Sequence, residues 1–172
     1  MTASRAANKL RRMQPHPGYL TRHDAVVRPA WIDYNGHMNL AYYVVVFDEA
    51  TDVLFDHIGI GVSSPHRAGM TTFAAETHTR YLAEVKSGDP LAVFTHLLAV
   101  DGKRIHFLHE MFHARDGYRA AVQELMSLHI DLATRRVANL AEEKLARLRA
   151  YAAQRGDVPL PPDVGRRISM PA

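Results

Sequence analysis

Between Leu40 and Phe47 the chain carries eight consecutive apolar or aromatic residues, and Leu54 and Ile58 continue the pattern at helical spacing. Recurrence at Leu40, Tyr43, Val44, Phe47, Thr51, Leu54 and Ile58 predicts a helix over 40–58, closed by Gly59 and Gly61. A strand through Val44–Val46 is the alternative, but Asp48, Glu49, Asp52 and Asp56 extend the helical pattern without a break. The first half of this helix is apolar on nearly every face, and such a helix is buried all round. The remaining sequence must therefore wrap it.

The wrapping material follows directly. Four strand-like runs are read at 71–86, 91–100, 104–115 and 118–132, after a loop over 62–70. Ser87-Gly88-Asp89-Pro90 is a turn, and Asp101-Gly102 and Asp116-Gly117 are hairpin signals, because glycine tolerates the positive φ of tight hairpins. Consecutive hairpins predict an antiparallel meander. Val122, Met126, Leu128, Ile130 and Leu132 alternate, which marks them as the buried face of the last strand. Ahead of the helix, 25–32 reads as a short extended segment, with Pro29 at an edge or bulge. Residues 139–155 read as a second, amphipathic helix, with Asn139 and Glu142 as a capping-box-like start. The expected class is α+β: a curled antiparallel sheet around a long central helix, the layout of a hotdog fold, with an extra C-terminal helix. Such a sheet pairs edge to edge with a second copy, so a homodimer or homotetramer is expected.

Three segments are expected: a flexible basic leader over 1–23, one domain over 24–136, and a C-terminal helix with a proline-rich extended tail over 137–172. With 172 residues, 47% of them hydrophobic, one domain can bury a sizeable core. The net charge of +3 belongs to the leader, which holds Arg5, Lys9, Arg11, Arg12 and Arg22 and no acid. Sixteen bases then face eighteen acids in the rest of the chain. The leader reads as solvated, with Met13 a candidate alternative start. It lacks the aromatic interleaving of a nucleic-acid surface, so no nucleic-acid partner is expected. No apolar run approaches the length of a membrane span, and no secretory signal is visible. A soluble, cytoplasmic protein is expected. The absence of cysteine excludes disulfides, thiolate nucleophiles and Cys-ligated metals.

The richest stretch for chemistry is Trp31-Ile32-Asp33-Tyr34-Asn35-Gly36-His37-Met38-Asn39. If 25–33 is extended, Trp31 and Asp33 share a face. Asp33 then stands beside the only tryptophan, just before a helix whose first N–H groups lack partners. Those donors can polarise a thioester carbonyl, and the carboxylate can attack it or deprotonate a water that does. Simpler roles compete. Asp33 and Gly36 also fit a tight turn, His37 fits polar surface, and Asn39 fits an N-cap.

The motif Asp33-x-x-Gly36-His37-x-Asn39-x-x-Tyr42, running into an apolar helix with Glu49, resembles that of hotdog-fold acyl-CoA thioesterases of the 4-hydroxybenzoyl-CoA thioesterase type. The resemblance continues through Tyr81-Leu82-x-Glu84-Val85-x-x-Gly88-Asp89-Pro90-Leu91, Lys103-Arg104-x-His106 and Leu128-His129-x-Asp131-x-x-x-Arg135-Arg136. Within that family it is most similar to the betainyl-CoA branch of carnitine breakdown. The resemblance implies that Asp33 is the catalytic carboxylate, with His37 and Gly36 beside it. It also implies that the helix start binds the thioester oxygen and that the site lies at a dimer interface. Asp48 and Glu49 are the alternative acids, because some members use a carboxylate on the central helix.

A trimethylammonium acyl group calls for aromatic walls and nearby carboxylates. Trp31, Tyr34, Tyr42 and Tyr43 are the wall candidates; Phe47 and Tyr43 also fit plain core. Glu124, in the apolar register of the last strand, is a candidate counter-charge, with Glu76 a weaker one. Asn39 is counted among the substrate-binding residues. Lys103, Arg104, Arg135 and Arg136 are candidates for the CoA phosphates or simply surface charges. His106, His109 and His113 do not have metal-ligand spacing for a strand, and no metal is expected. CoA enters as part of the substrate, not as a resident cofactor. A hotdog enoyl-CoA hydratase and a non-catalytic binder of CoA esters or quaternary ammonium compounds are the rival readings.

Overall fold

In a computed structural model of the chain, residues 18–64 and 69–170 are described. Met13 and the basic residues Arg5 to Arg12 lie outside them. The central helix, α1, spans Leu40–His57. Asn39 caps it, its side chain accepting a hydrogen bond from Ala41 N at 3.0 Å. Six strands form one sheet: β1 (Thr21–Val26), β2 (Met70–Tyr81), β3 (Pro90–Val100), β4 (Arg104–His113), β5 (Arg119–Asp131) and the short β6 (Arg136–Val137). The order is β1-β3-β4-β5-β2, with β6 on β5 and all pairs antiparallel. A second helix, α2, spans Glu142–Ala153.

The sheet and helix pack as the periodicity requires. Tyr43, Val46, Phe47, Ala50, Leu54 and Phe55 of α1 are buried. Near its start they meet Val93, Met111 and Ala121; near its end they meet Leu97, Ile105, Phe107 and Leu125. Leu145 and Leu148 of α2 close the second cluster. At the centre, His109 stacks on Phe47 at 5.8 Å and is completely buried. Thr51 donates to Phe47 O at 3.0 Å, so its oxygen accepts from His109 Nε2–H at 2.9 Å. The opposite nitrogen, Nδ1, then accepts from Thr95 Oγ at 2.9 Å. One imidazole thus ties α1 to β3 and β4.

Several expectations are corrected. Residues 25–32 are not one extended segment: β1 ends at Val26, and Pro29–Trp31 coil into a 3₁₀ turn. The leader gives way to sheet at Thr21, before the expected boundary at residue 24. The meander holds for β3-β4-β5, but β2 crosses to the far side of β5 instead of pairing with β3. The face of β5 toward α1 carries Ala121, Gln123, Leu125 and Ser127, while Val122 and Met126 look out of the back of the sheet. The helix α1 is not buried all round, since Leu40 (61%), Val44 and Val45 are exposed. Asn139 does not cap α2; Ala141 does, with no side-chain bond.

The proline-rich tail is part of the fold. Its Asp163 is 3% exposed and pairs with Arg80 and with Arg119 Nη1, the latter at 2.6 Å. Arg119 also reaches Glu110 Oε1 at 2.7 Å. Glu110 in turn accepts from Tyr19 Oη and His96 Nε2, each at 3.0 Å. Both ends of the described chain therefore meet one buried charge network on the back of the sheet.

Two stability predictions follow from these buried groups. Burial, assisted by the neighbouring His23 and His96, pushes His109 down to about 3. Its neutral form is stable in the fold, while the unfolded chain protonates it near 6.5. Its contribution is present in full above 6.5 and is lost as pH falls toward 3, at up to about 1.4 kcal/mol per pH unit. Urea midpoints measured between pH 6.5 and 4 will show a shallower slope in His109→Gln. Asp163→Ala leaves two guanidinium groups without that carboxylate and will cost roughly 3–5 kcal/mol by denaturant titration at pH 7.

Candidate active site

The segment Asp33–His37 is a tight reversal between Ile32 and Met38, which bridge each other. Asp33 N donates to His37 O at 3.1 Å and Gly36 N to Asp33 O at 3.0 Å. Asp33 Oδ1 accepts from Asn35 N at 2.8 Å, an Asx turn. Gly36 takes φ +81°, and a Cβ there would meet nothing within 4 Å. The positive φ itself calls for glycine here, and no described residue of the chain crowds the position. Met38 N bonds Val85 O at 2.9 Å and Asn39 N bonds Trp31 O at 2.9 Å, so the reversal is fastened to the segment after β2.

This reversal lays Asp33 against the start of α1. Asp33, half-buried, lines a cavity of about 450 Å³ together with His37, Asn39, Leu40, Tyr43, Tyr81 and Glu84. At the helix start Ala41 N–H is taken by the Asn39 side chain and Tyr42 N–H by Asn39 O. Among the described residues the Leu40 N–H is left unengaged, on a residue that lines the same cavity. The acid and the residue that carries the free helix-start donor thus line one cavity, the pairing that attack on a carbonyl calls for.

The remaining expected residues divide. His37 is in the cavity, its Nε2 3.6 Å from Glu84 Oε1. Tyr34 lies on the cavity rim but is 96% exposed at the tip of the turn. Tyr43 is buried, its hydroxyl on Ala83 O at 3.3 Å, and burial pushes its phenol up to about 12. Trp31 and Tyr42 do not join the cavity. The 3₁₀ turn swings Trp31 inward, where it stacks on Tyr42 at 5.4 Å under the Arg28 guanidinium at 5.0 Å. Trp31 lines a separate cavity of about 660 Å³ that also holds His23 and Glu49, themselves 3.2 Å apart. Asp48 opens onto a third, smaller space of about 220 Å³ with Asp52 and Ser127. Neither alternative acid reaches the cavity of Asp33.

Glu124 is not among the residues that line the cavity of Asp33 in this chain. It faces the back of the sheet, bonded to His106 Nε2 at 2.7 Å and Gly165 N at 2.8 Å. Glu76, opposite Met126, shares that outer face. His109 and His113 do share the inner face, but His113 stacks on Tyr118 and meets Asp89 and Asp116 instead of a common ligand. Lys103 and Arg104 lie far down the sheet. Tyr81 pairs with Ala121 while Arg104 pairs with Leu128, roughly 24 Å further along β5. Arg104 is engaged by Asp101, whose carboxyl that side-chain bond, with backbone donors, pulls down to about 2. Arg135 covers the Phe73 ring at 5.2 Å, and Arg136 sits in β6.

Among the cavity residues that escaped the sequence reading as site residues are Tyr81 and Glu84. Tyr81 meets Tyr43 edge-on at 5.2 Å and 79°, and its hydroxyl reaches Leu40 O at 3.4 Å. Both follow from the strand's end: Leu82 and Ala83 donate to Ala120 O and turn the chain back toward the reversal. The signal was present, since Tyr81 and Glu84 stand in the second of the quoted motifs.

A curled antiparallel sheet around one helix, with a carboxylate at that helix's start, defines a hotdog-fold thioester hydrolase. The sequence pattern of the thioesterase-like superfamily matches residues 27–167, and the chain belongs to that superfamily. It is 40% identical over 152 residues to a betainyl-CoA thioesterase of Pseudomonas aeruginosa, covering 88% of this chain and 96% of that one. It is 39% identical over 149 residues to an L-carnitine dehydrogenase/betainyl-CoA thioesterase of Agrobacterium fabrum, covering 87% of this chain and 30% of that longer protein. Among solved structures, a Staphylococcus aureus protein in complex with CoA superposes with TM-score 0.81 at 26% identity, over 92% of this chain and all of that one. A Pseudomonas putida KT2440 protein described as a candidate thioesterase gives 0.76 at 34%, over 93% and 100%.

The geometry singles out a backbone group that can be tested without breaking the helix. Leu40 is the first helical residue, and Asn39 before it has φ −62° and ψ 145°, both compatible with proline at position 40. Leu40→Pro deletes that one N–H. It will keep the melting temperature of Leu40→Ala within a few degrees but lose about 10²–10³ in kcat for thioester cleavage, read as thiol release.

Proposed function

We propose that this chain hydrolyses a small acyl-CoA, betainyl-CoA, to betaine and CoA. The observation that carries the reading is that Asp33 and Leu40, whose N–H is unengaged among the described residues, line one cavity. The ester carbonyl oxygen sits on Leu40 N–H at the positive end of α1. Asp33 either takes a proton from a water that attacks the carbonyl carbon or attacks that carbon itself. The carbon–sulfur bond then breaks and CoA leaves as thiolate and takes up a proton; on the first route the acyl group leaves directly as the acid with the water oxygen, and on the second a water cleaves the acyl–Asp33 anhydride, releasing the acid and restoring the carboxylate. His37 orients the carboxylate side of the cavity, and Gly36 gives the turn its shape. The acyl group is assigned from the 40% identity to a betainyl-CoA thioesterase over almost the whole of both chains.

CoA is part of the substrate in this reading, and no resident cofactor is needed. The working form is a homodimer joined along β2, a sheet edge that exposes Phe73; Leu40, Val44 and Val45 of α1 add exposed apolar surface to the chain. No described helix is long and apolar enough to cross a membrane, and a cytoplasmic location goes with the reading.

Thiol release from a panel of acyl-CoA esters is the direct test, and betainyl-CoA will have the highest kcat/KM. Asp33→Asn will lower kcat by about 10²–10⁴, with little change in the unfolding midpoint. Full activity in that variant, or no thiol release by the wild type, defeats the assignment.

A further inference from the structure

We infer that Glu84 and the paired rings of Tyr43 and Tyr81 hold the cationic head of the acyl group, the carboxylate as counter-charge and the rings as walls; this rests on the thioesterase reading above. A trimethylammonium group cannot donate a hydrogen bond, so only carboxylates and aromatic surfaces distinguish it from a neutral group of the same shape. In a betainyl ester one methylene separates the carbonyl carbon from the nitrogen, a span of about 2.5 Å. The head must therefore lie in the cavity that holds Asp33 and Leu40 N–H.

Within one chain that distance leaves out the other candidates. Trp31 belongs to a different cavity and already carries Arg28 on its ring. Glu124 is on the back of the sheet. Asp48 is eight residues beyond Leu40 on α1, roughly 12 Å along the axis. Glu84 remains. Its side chain is 55% exposed and lines the cavity of Asp33. Its side chain's one close polar neighbour among the described residues is His37 Nε2 at 3.6 Å, beyond hydrogen-bonding length.

The rings are held for the purpose. Tyr81 is anchored by its hydroxyl to Leu40 O, Tyr43 by its hydroxyl to Ala83 O, and the two meet edge to face. Both residues line the cavity, and both hydroxyls are turned to backbone carbonyls. The Glu84 carbonyl accepts from Tyr118 Oη at 3.0 Å, which fixes the backbone that carries the carboxylate.

The test uses the full chain and two esters of the same shape, betainyl-CoA and 3,3-dimethylbutanoyl-CoA, in which carbon replaces the charged nitrogen. The readout is the ratio of their kcat/KM values, which a purely structural role would not move. The wild type will prefer the cationic ester by at least tenfold. Glu84→Gln and Tyr81→Ala will each collapse that preference, Tyr81→Phe will keep it, and Asp48→Asn will keep it. Equal use of both esters by the wild type overturns the inference while leaving thioester hydrolysis standing. So does a preference that survives in Glu84→Gln and Tyr81→Ala, or one that disappears in Asp48→Asn. Hydrolysis of neither ester overturns this inference together with the reading beneath it.

Discussion

The seat of α1, and with it the place of the helix-start donor, depends on one imidazole. His109 accepts from Thr95 on β3 and donates to Thr51 on α1, in a space that excludes water. Hydrogen bonds in such a space are strong and leaving one unmade is costly. Rotating α1 by one residue would break the Thr51 bond and turn Asp48 or Asp52 toward the core. The rod is thereby fixed in rotation and translation. Leu40 lies eleven residues before Thr51, about 16 Å away along a rigid helix, so its N–H is set by a contact far from the chemistry.

The other half of the cavity is set from the back of the sheet. Arg80 and Arg119 share Asp163, and Arg119 is held further by Glu110. Arg80 precedes Tyr81, and Arg119 precedes Ala120, whose carbonyl takes both Leu82 N and Ala83 N. Two guanidinium groups and two carboxylates balance in formal charge, which is the condition for burying them at all. The tail that supplies Asp163 thus fixes the strand end that delivers Tyr81 and Glu84 to the cavity. A tail that reads as loose polar sequence is, in physical terms, a peg.

Local chemistry made much of this legible and long-range chemistry did not. The helix at 40–57, its Asn39 cap and the three hairpin-forming strands follow from periodicity, a short polar side chain and Asp-Gly turns. These are interactions between residues close in the chain. The Asp33 reversal was visible for the same reason. The face of β5 was misread because a back face covered by a tail looks as apolar as one covered by a helix. Trp31 was misplaced because one proline-led 3₁₀ turn reverses the alternation on which its side depended. Asp163 carries no local mark, since its partners stand 44 and 83 residues away. Glu124 stands out in the sequence as an acid in an apolar register, but nothing there reveals that its partners are His106 and the tail.

The same distinction explains why the basic residues of the phosphate motifs miss the cavity within one chain. Arg135 covers Phe73 near the start of β2, while Tyr81 marks its end beside Asp33. β2 is an edge strand of twelve residues whose second side is unpaired among the described residues, and its Phe73 is exposed. A long open edge of this kind invites a second strand. If that strand is β2 of a second copy, as the proposed dimer requires, antiparallel pairing sets the Met70 end of each copy beside the Tyr81 end of the other. Arg135 of one copy then moves toward the Asp33 cavity of its partner, and the long nucleotide end of a CoA ester finds its cations across the interface. On that geometry, the separation of roughly 24 Å measured along β5 is a property of half a site.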